Sequence, residues 1–410
     1  MHTLKRNINL PMLTLYGLGT ILGAGIYVLV GKVAVTAGIY APISFLIAAA
    51  LAGLSGYSYA ALSACFPKSA GEAVYIEHAF SLKWLSTTVG WMVILTGVVS
   101  AATISNGFVG YLQVFVDISD FWGITLLLIS MTGLAIWGVN ESVAVTAITT
   151  VMGIVGLVII LAVSMPAFMT IPERLPELMP PILDGGIWYG ILLGAFLAFY
   201  AFIGFEDMVN MAEEVKQPER TLPKAIIAAI VISSLFYYFI ALAAILQLPM
   251  DTLTNSKAPM TDIMREHSEQ GAWFVSLISL AAVVNGALVQ IIMGARVLYG
   301  MGKQGMAPIW LAAIHPSRKT PYIATLILGS VVWVLATSFP LATLAKITSF
   351  IIIVVFLMVN AALIRLLRAK PVNPALKARA WVPYLGAVMC AGFLVIQGIQ
   401  VFSGGQAITH

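Results

Sequence analysis

Charged residues are scarce in this chain of 410 residues: Asp, Glu, Lys and Arg make up 9% of it, whereas 60% is hydrophobic. Soluble domains carry about 25% charged residues. Even a large soluble domain leaves about a quarter of its chain surface in water. No soluble core could hide this much apolar surface. The composition, with a mean hydropathy of +0.98, therefore excludes a soluble protein and predicts an integral membrane protein.

Cysteine and histidine are also rare. Cys65 and Cys390 lie within or at the end of apolar segments, which predicts reduced packing residues and no disulfide framework. The five histidines fall outside the apolar segments or at their ends, and no clustered His/Asp/Glu set is visible. We therefore expect no metal, no cofactor and no membrane-embedded enzyme. The net charge of +4 does not indicate nucleic acid, because the membrane topology explains it.

Eleven apolar segments approach or exceed the length of about 20 residues that a membrane-spanning helix needs. They are roughly residues 11–35, 40–65, 84–116, 121–139, 143–168, 187–211, 224–248, 271–300, 322–340, 344–368 and 382–402. The first is span-length and more spans follow, so we expect it to be retained rather than cleaved as a signal peptide. The sequence predicts an all-α membrane protein with one domain over residues 1–410 and about eleven transmembrane helices.

The basic residues predict the orientation of these spans. If the N-terminus is cytoplasmic, sixteen of the 21 Lys and Arg residues fall on the inner side. The five on the outer side are Lys32, Arg174, Lys257, Arg265 and Lys346. This is the positive-inside pattern, so we expect a multi-pass protein of the cytoplasmic membrane with its C-terminus outside.

Two spans contain residues that are unfavourable in a continuous helix. The first has four glycines in nine residues, at Gly17, Gly19, Gly23 and Gly25. The sixth places Gly204, Glu206 and Asp207 near its middle. Helices interrupted at corresponding positions of two halves indicate a carrier site between inverted repeats. Two alternatives stay open: the glycines could serve helix packing, and the two carboxylates could lie in the cytoplasmic interface.

The chemistry of two broken helices suits one class of ligand. A half-helix N-terminus offers free N–H groups and the positive end of its dipole to a carboxylate. Carbonyl groups freed at a break can accept hydrogen bonds from an ammonium group. An α-amino acid carries both groups, so we expect it to be the substrate.

Four motifs then resemble one family, the amino acid–polyamine–organocation transporters. Gly19–Tyr27 is similar to that family's G-x-I-I-G-[ST]-G-I-F signature in the first helix. Phe66–Tyr75 resembles its P-x-[SA]-G-G-x-Y loop. Gly204–Ile226 resembles the signature after the sixth helix, and Ala295–Pro308 the one that ends the eighth. The Gly-Phe-Glu core at Gly204 is most similar to bacterial permeases related to the cationic amino acid transporters.

The resemblance implies a 5+5 inverted-repeat (LeuT-like) core in which helices 1 and 6 are broken at the substrate. The first repeat would cover residues 1–168, the second 187–368, and an additional helix 381–402. Backbone N–H groups of the first break would bind the carboxylate, and carbonyls of the sixth would bind the ammonium. The first-helix candidates are Thr20, Gly23, Ala24, Gly25 and Ile26. The sixth-helix candidates are Tyr200, Ala201, Phe202, Ile203, Phe205 and Glu206, whose aromatic rings could close over the substrate.

Polar side chains at similar depth complete the predicted pocket. They are Thr96, Ser100, Asn285 and Ser349. Each could instead be satisfied by hydrogen bonds within its own bundle.

The sequence departs from the family pattern in three places. Eleven spans stand where twelve are usual. Gly153 occupies the fifth-helix position at which proton-coupled relatives carry a lysine, so coupling would fall to Glu206 or be absent. Thr96 stands where cationic transporters often carry an acidic residue, which weakens the case for a cationic substrate.

These features predict a secondary carrier that moves amino acids by alternating access. The alternatives are an amino acid or polyamine exchanger without ion coupling, a membrane enzyme and a channel. A channel usually shows a repeated filter loop or a charged ring, and neither is visible here. The expected partners are an amino acid, the bilayer and, for a symporter, protons. No cysteine lies in a predicted outer loop, so we expect no disulfide-linked partner subunit.

Overall fold

A computed structural model describes residues 6–22, 25–68, 71–137, 143–303, 307–318, 320–369 and 378–402, without the side chains of 143–147. Within these residues the chain is helical and contains one isolated parallel β-bridge, between Ile8 and Val215. The α-helices are α1 Leu10–Leu22, α2 Gly25–Ala37, α3 Ala41–Cys65, α4 Gly71–Phe80, α5 Lys83–Leu112, α6 Asp120–Trp137, α7 Val143–Val163, α8 Met165–Phe168, α9 Ile171–Leu178, α10 Gly185–Ala198, α11 Asp207–Asn210, α12 Pro218–Gln247, α13 Met250–Asn255, α14 Pro259–Arg265, α15 Glu269–Lys303, α16 Tyr322–Ser338, α17 Leu341–Arg368 and α18 Trp381–Phe402.

The protein is an all-helical, multi-pass membrane protein. Eight helical stretches in the described part of the chain are long and apolar enough to cross a bilayer, and the first, Leu10–Cys65, includes two of the predicted spans. Two shorter apolar helices, Ile148–Val163 and Tyr322–Ser338, coincide with the predicted fifth and ninth spans. Large apolar side chains such as those of Leu126 and Ile129 point outward from the bundle, as a lipid-facing surface requires. The total of eleven spans and the inverted repeat stay predictions.

The sixth predicted span is interrupted. Helix α10 starts at a capping residue, Asp184, whose carboxylate accepts hydrogen bonds from the backbone N–H groups of Gly186 and Ile187. It ends at Ala198 and passes through a 3₁₀ turn, Phe199–Phe202. Ile203 is then extended, with ψ 133°, and Gly204 has φ +128°, which favours glycine because it lacks a Cβ. A short helix, α11, resumes at Asp207.

The first predicted span comprises α1 and α2, and the two residues between them, Gly23 and Ala24, lie outside the described residues. This span and the interrupted sixth span lie at the centre of the bundle. Helix α1 packs against α7 and α12, and α2 packs against α10. Helix α5 packs against both α15 and α17 beside this centre. Long helices thus surround the α1–α2 segment and the interrupted sixth span.

Candidate functional site

The α1–α2 segment and the interrupted sixth span touch each other closely. A Cβ added at Gly25 would lie 2.4 Å from Cα of Ala201 and 2.7 Å from its Cβ. A Cβ added at Gly204 would lie 2.7 Å from the carbonyl carbon of Thr20. Glycine at both positions therefore permits a backbone approach that any larger residue would prevent.

Hydrogen bonds also connect the two breaks. The hydroxyl of Thr20 is 2.9 Å from the carbonyl oxygen of Gly204 and 2.9 Å from that of Gly17 in its own helix. The bond to Gly204 joins α1 to the turn after the 3₁₀ segment, across 184 positions of sequence. The same carbonyl oxygen also accepts a hydrogen bond of 3.2 Å from the backbone N–H of Asp207, so the Thr20 hydroxyl is its second donor.

Tyr237 of α12 provides a second connection. Its hydroxyl lies 2.6 Å from the carbonyl oxygen of Ile21, just before the first break, and 2.6 Å from that of Ala201, at the sixth-span break. The side chain is fully buried, and its ring packs edge-on against Phe202. One hydroxyl has a single hydrogen to donate, so the two carbonyls share it. Each keeps the capacity to accept another hydrogen bond.

A small cavity opens where these segments meet α5 and α15. Its volume is about 20 Å³, enough for about one water molecule. The described lining residues are Gly19, Thr20, Ile21, Gly25, Ser100, Ile104, Tyr200, Ile203, Gly286, Val289 and Gln290. The hydroxyls of two lining residues, Ser100 and Tyr200, are 3.0 Å apart and form a hydrogen bond with each other. The cavity brings together five of the candidates predicted from sequence: Thr20, Gly25, Ser100, Tyr200 and Ile203.

Three carboxylate side chains lie close to the sixth-span break. Glu206 is 4% exposed, and its Oε2 accepts a hydrogen bond of 2.8 Å from the backbone N–H of Gly204. Asp207 is partly exposed, and its carboxylate interacts with the side chain of Gln290. Glu72 of α4 is 3% exposed and accepts a hydrogen bond of 3.2 Å from the hydroxyl of Tyr59. Among the described residues no Lys or Arg forms an ion pair with any of them.

The pKa of Glu72 is raised to about 7. Burial is the main cause, because it removes water from the charged form. The carboxylate of Asp207 raises this pKa further, and the hydrogen bond from Tyr59 acts in the opposite direction. Glu72 lies within the Phe66–Tyr75 motif before the third predicted span, and the sequence predicted no role for it.

A second, smaller cavity lies on the other side of α1. Its described lining includes Gly153 of α7, Asn285 of α15 and the hydroxyl-bearing Thr149 and Thr150. The hydroxyl of Tyr27 donates a hydrogen bond of 2.8 Å to the carbonyl oxygen of Gly153. The structure thus places the Asn285 candidate beside the position where relatives carry lysine, and apart from the first cavity.

The other candidates lie around the cavities. Ile26 is fully buried in the core. The hydroxyl of Thr96 donates to the carbonyl oxygen of Met92 in its own helix. Phe205 packs edge-on against Tyr59 and at a tilt against Phe356.

Three candidates remain. Ser349 is fully buried, and its hydroxyl lacks a partner in the described part of the chain. Gly23 and Ala24, the centre of the first-span motif, lie outside the described residues.

Sequence reading missed Tyr237, Gly286 and Gln290. Gln290 is a polar residue in an apolar helix, five positions after the Asn285 candidate, and that polarity was a usable signal. Gly286 and Tyr237 carry no such signal, because only the packing of α15 and α12 brings them to the breaks. No group of His, Cys, Asp and Glu suited to a metal ion occurs within the described residues.

Comparisons with known proteins agree on one family. A model of the family described as "Amino acid permease" matches residues 8–409. The branched-chain amino acid permease BcaP of Bacillus subtilis is 28% identical, over 97% of this chain and 86% of its own. The methylthioribose transporter of the same organism is 27% identical, over 94% of this chain and 86% of its own. Cationic amino acid transporter 3 of Arabidopsis thaliana is 30% identical, over 88% of this chain and 62% of its own.

Proposed function

This chain belongs to the amino acid permease family, and from that premise we propose that it carries an α-amino acid across the cytoplasmic membrane by alternating access. The single observation that supports this most directly is the contact between the two interrupted segments at Gly25 and Ala201. In this proposal the segments belong to inverted repeats, 1–168 and 187–368, and the substrate binds between them. The N-terminus is cytoplasmic and the C-terminus outside.

The polar groups at the breaks match the two ends of an amino acid. In this proposal the first span is broken just before Gly25, which lines the cavity, so that a helix N-terminus there can bind a carboxylate. On the opposite side, the carbonyls of Ile21 and Ala201 share the one hydroxyl hydrogen of Tyr237. These carbonyls can accept hydrogen bonds from an ammonium group. The Ser100 and Tyr200 hydroxyls lie on the same cavity wall and can adjust to either end.

Transport requires the breaks to separate. A cavity of about 20 Å³ is too small for an amino acid, since one water already needs about 10–15 Å³ on this measure. The bond from Thr20 to Gly204 and the close packing of Gly25 hold the segments together in this conformation. At the other end of α1, backbone bonds pair Ile8 with Glu214 and Lys216, which follow α11. Substrate entry therefore moves α1 relative to the sixth-span break.

We further propose that Glu206 couples transport to protons. It is buried, titratable and bonded to the break itself through Gly204. Gly153 cannot supply a charge at the position where relatives use lysine. The alternative is exchange without ion coupling. The relatives' printed names mention branched-chain amino acids, cationic amino acids and methylthioribose, so they do not select one substrate.

The test is uptake into liposomes that contain the purified protein. Labelled amino acids and putrescine are each offered with and without an inward proton gradient, and with unlabelled substrate inside. Uptake of an α-amino acid driven by the gradient supports the symporter. Uptake only against internal substrate supports the exchanger. Transport of putrescine without any α-amino acid would contradict the carboxylate site at Gly25.

A further inference from the structure

We propose that the substrate side chain is uncharged and aliphatic, and that Gln290 excludes cationic side chains by separating the cavity from the carboxylate of Asp207. This inference rests on the proposed function, because it names the class of amino acid that the same site would accept. It goes beyond the family assignment, in which relatives are named for both branched-chain and cationic amino acids.

The walls of the cavity away from the helix breaks are apolar. Ile104 of α5, Ile203 of the break and Val289 of α15 supply aliphatic surface. None of the described lining residues carries a formal charge. A cationic side chain placed here would lose its water without gaining a counter-charge, which is strongly unfavourable. An aliphatic side chain would instead gain contact with these three residues.

Gly286 provides the room that such a side chain needs. A Cβ added there would lie 3.5 Å from Cδ1 of Ile104, which is an ordinary contact distance. The space beside Gly286 is therefore bounded by aliphatic carbon rather than by backbone polar groups. A branched aliphatic group could occupy it once the breaks have separated.

Gln290 decides whether a negative charge reaches this space. Gln290 lines the cavity, and its Oε1 is 3.0 Å from the position that a Cβ of Gly97 would take, so the oxygen faces α5. Its side chain also interacts with the carboxylate of Asp207. Asp207 is close to the cavity, because its backbone N–H donates to the Gly204 carbonyl that also accepts from the lining residue Thr20. In this proposal the neutral side chain of Gln290 separates the cavity from that carboxylate.

Glu206, the neighbouring acidic residue, does not offer a carboxylate to the cavity. The Oε2 atom of Glu206 is bonded to the Gly204 N–H, and Glu206 is absent from the described lining. Asp207 is therefore the acidic group that removal of the Gln290 amide would expose. Cationic selectivity should appear when Gln290 is shortened, and it should depend on Asp207.

The experiment measures uptake of labelled L-valine and L-lysine by the full chain in liposomes. Wild type should take up valine and reject lysine. Gln290→Ala should raise the lysine-to-valine ratio by about tenfold, the scale of one hydrogen bond to a charged group. The double variant Gln290→Ala/Asp207→Asn should lose that gain. Gly300→Ala, on the same helix at a position where an added Cβ meets no atom within 4 Å, is the matched control and should keep the wild-type ratio.

Gln290→Glu keeps the shape of the side chain and brings a negative charge to the cavity wall. It should admit lysine too, and it decides the question if Gln290→Ala fails to fold. Equal uptake of valine and lysine by wild type would overturn the inference and leave the carrier function standing. Unchanged ratios in both Gln290 variants would overturn it as well. Failure of wild type to move any amino acid would overturn the proposed function and this inference together.

Discussion

Replacing Gly25 by alanine adds one methyl group at the closest contact between the two breaks. In the structure that methyl carbon would be 2.4 Å from Cα of Ala201. Carbon atoms are at their optimal separation at about 3.5–4.0 Å. The two segments must therefore move apart by about 1 Å, because Cα of Ala201 is backbone and cannot rotate away.

The size of the effect follows from this displacement. Overpacking of a tight core costs about 1–3 kcal/mol. If that cost falls on the closed conformation, it corresponds to about a 5- to 150-fold change in its population, since about 1.4 kcal/mol is a factor of ten. Misplacing the groups of a functional site by about 1 Å can lower its rate by about a hundredfold. We therefore expect uptake per folded molecule to fall by one to two orders of magnitude.

The assay is initial uptake in liposomes, normalised to the amount of folded protein measured by gel filtration. Gly53→Ala is the matched control, because a Cβ at Gly53 meets no atom within 4 Å. It should transport as wild type does. Gly25→Ala with wild-type rate and apparent affinity would show that the breaks do not need their close contact, and would refute the reasoning for this site.

Three other variants test separate parts of the site. Tyr237→Phe removes the hydroxyl that the carbonyls of Ile21 and Ala201 share. Transport efficiency should fall about tenfold, the effect of a hydrogen bond worth about 1–2 kcal/mol. An unchanged kcat/KM would contradict a role for this hydroxyl in holding the two segments together. Glu206→Gln should flatten the pH dependence of uptake, and a wild-type pH profile would remove its coupling role. Burial raises the pKa of Glu72 to about 7, whereas the unfolded chain has a pKa of about 4.3 at this residue. The protonated form of Glu72 therefore contributes its full stability below about pH 4.3. That contribution is lost as the pH rises through about 7. Glu72→Gln stays neutral, and should unfold at a higher temperature than wild type at pH 8 but not at pH 5; equal shifts at both pH values would contradict this.

The break in the sixth span could be predicted because its signal is local. A glycine followed by two acidic residues near the middle of an apolar segment is unfavourable in a continuous membrane helix. The structure gives the reason in conformational terms, since Gly204 has φ +128°. The burial of Glu206 follows from the same break, because the turn carries its side chain back to the N–H of Gly204. Glu206 is therefore only 4% exposed, whereas Asp207 is partly exposed.

The partners of the break could not be predicted, because they come from distant helices. Tyr237 reaches the carbonyl of Ile21 across 216 positions. Thr96, selected for its depth and polarity, donates its hydroxyl hydrogen to the carbonyl of Met92 one turn earlier. Hydroxyls in apolar helices are readily satisfied by their own backbone. Polarity and depth in the sequence therefore give a list of candidate residues, and the packing of the helices decides which of them lie at the site.

The turn at Gly204 suggests how a proton on Glu206 would affect the other broken span. Its N–H donates to Glu206, and its carbonyl oxygen accepts from Thr20 of α1. Both bonds act on this one residue. A carboxylate is a stronger acceptor than a neutral carboxyl group, so protonation of Glu206 weakens the bond that fixes the Gly204 N–H. In the proposed mechanism the hydrogen bond from the Thr20 hydroxyl to the Gly204 carbonyl is then more easily broken, and α1 can separate from the sixth-span break. The hydroxyls of Thr20 and Tyr237 donate without titrating near neutral pH. Glu206 is therefore the titratable group through which pH would act directly on the contact between the two breaks.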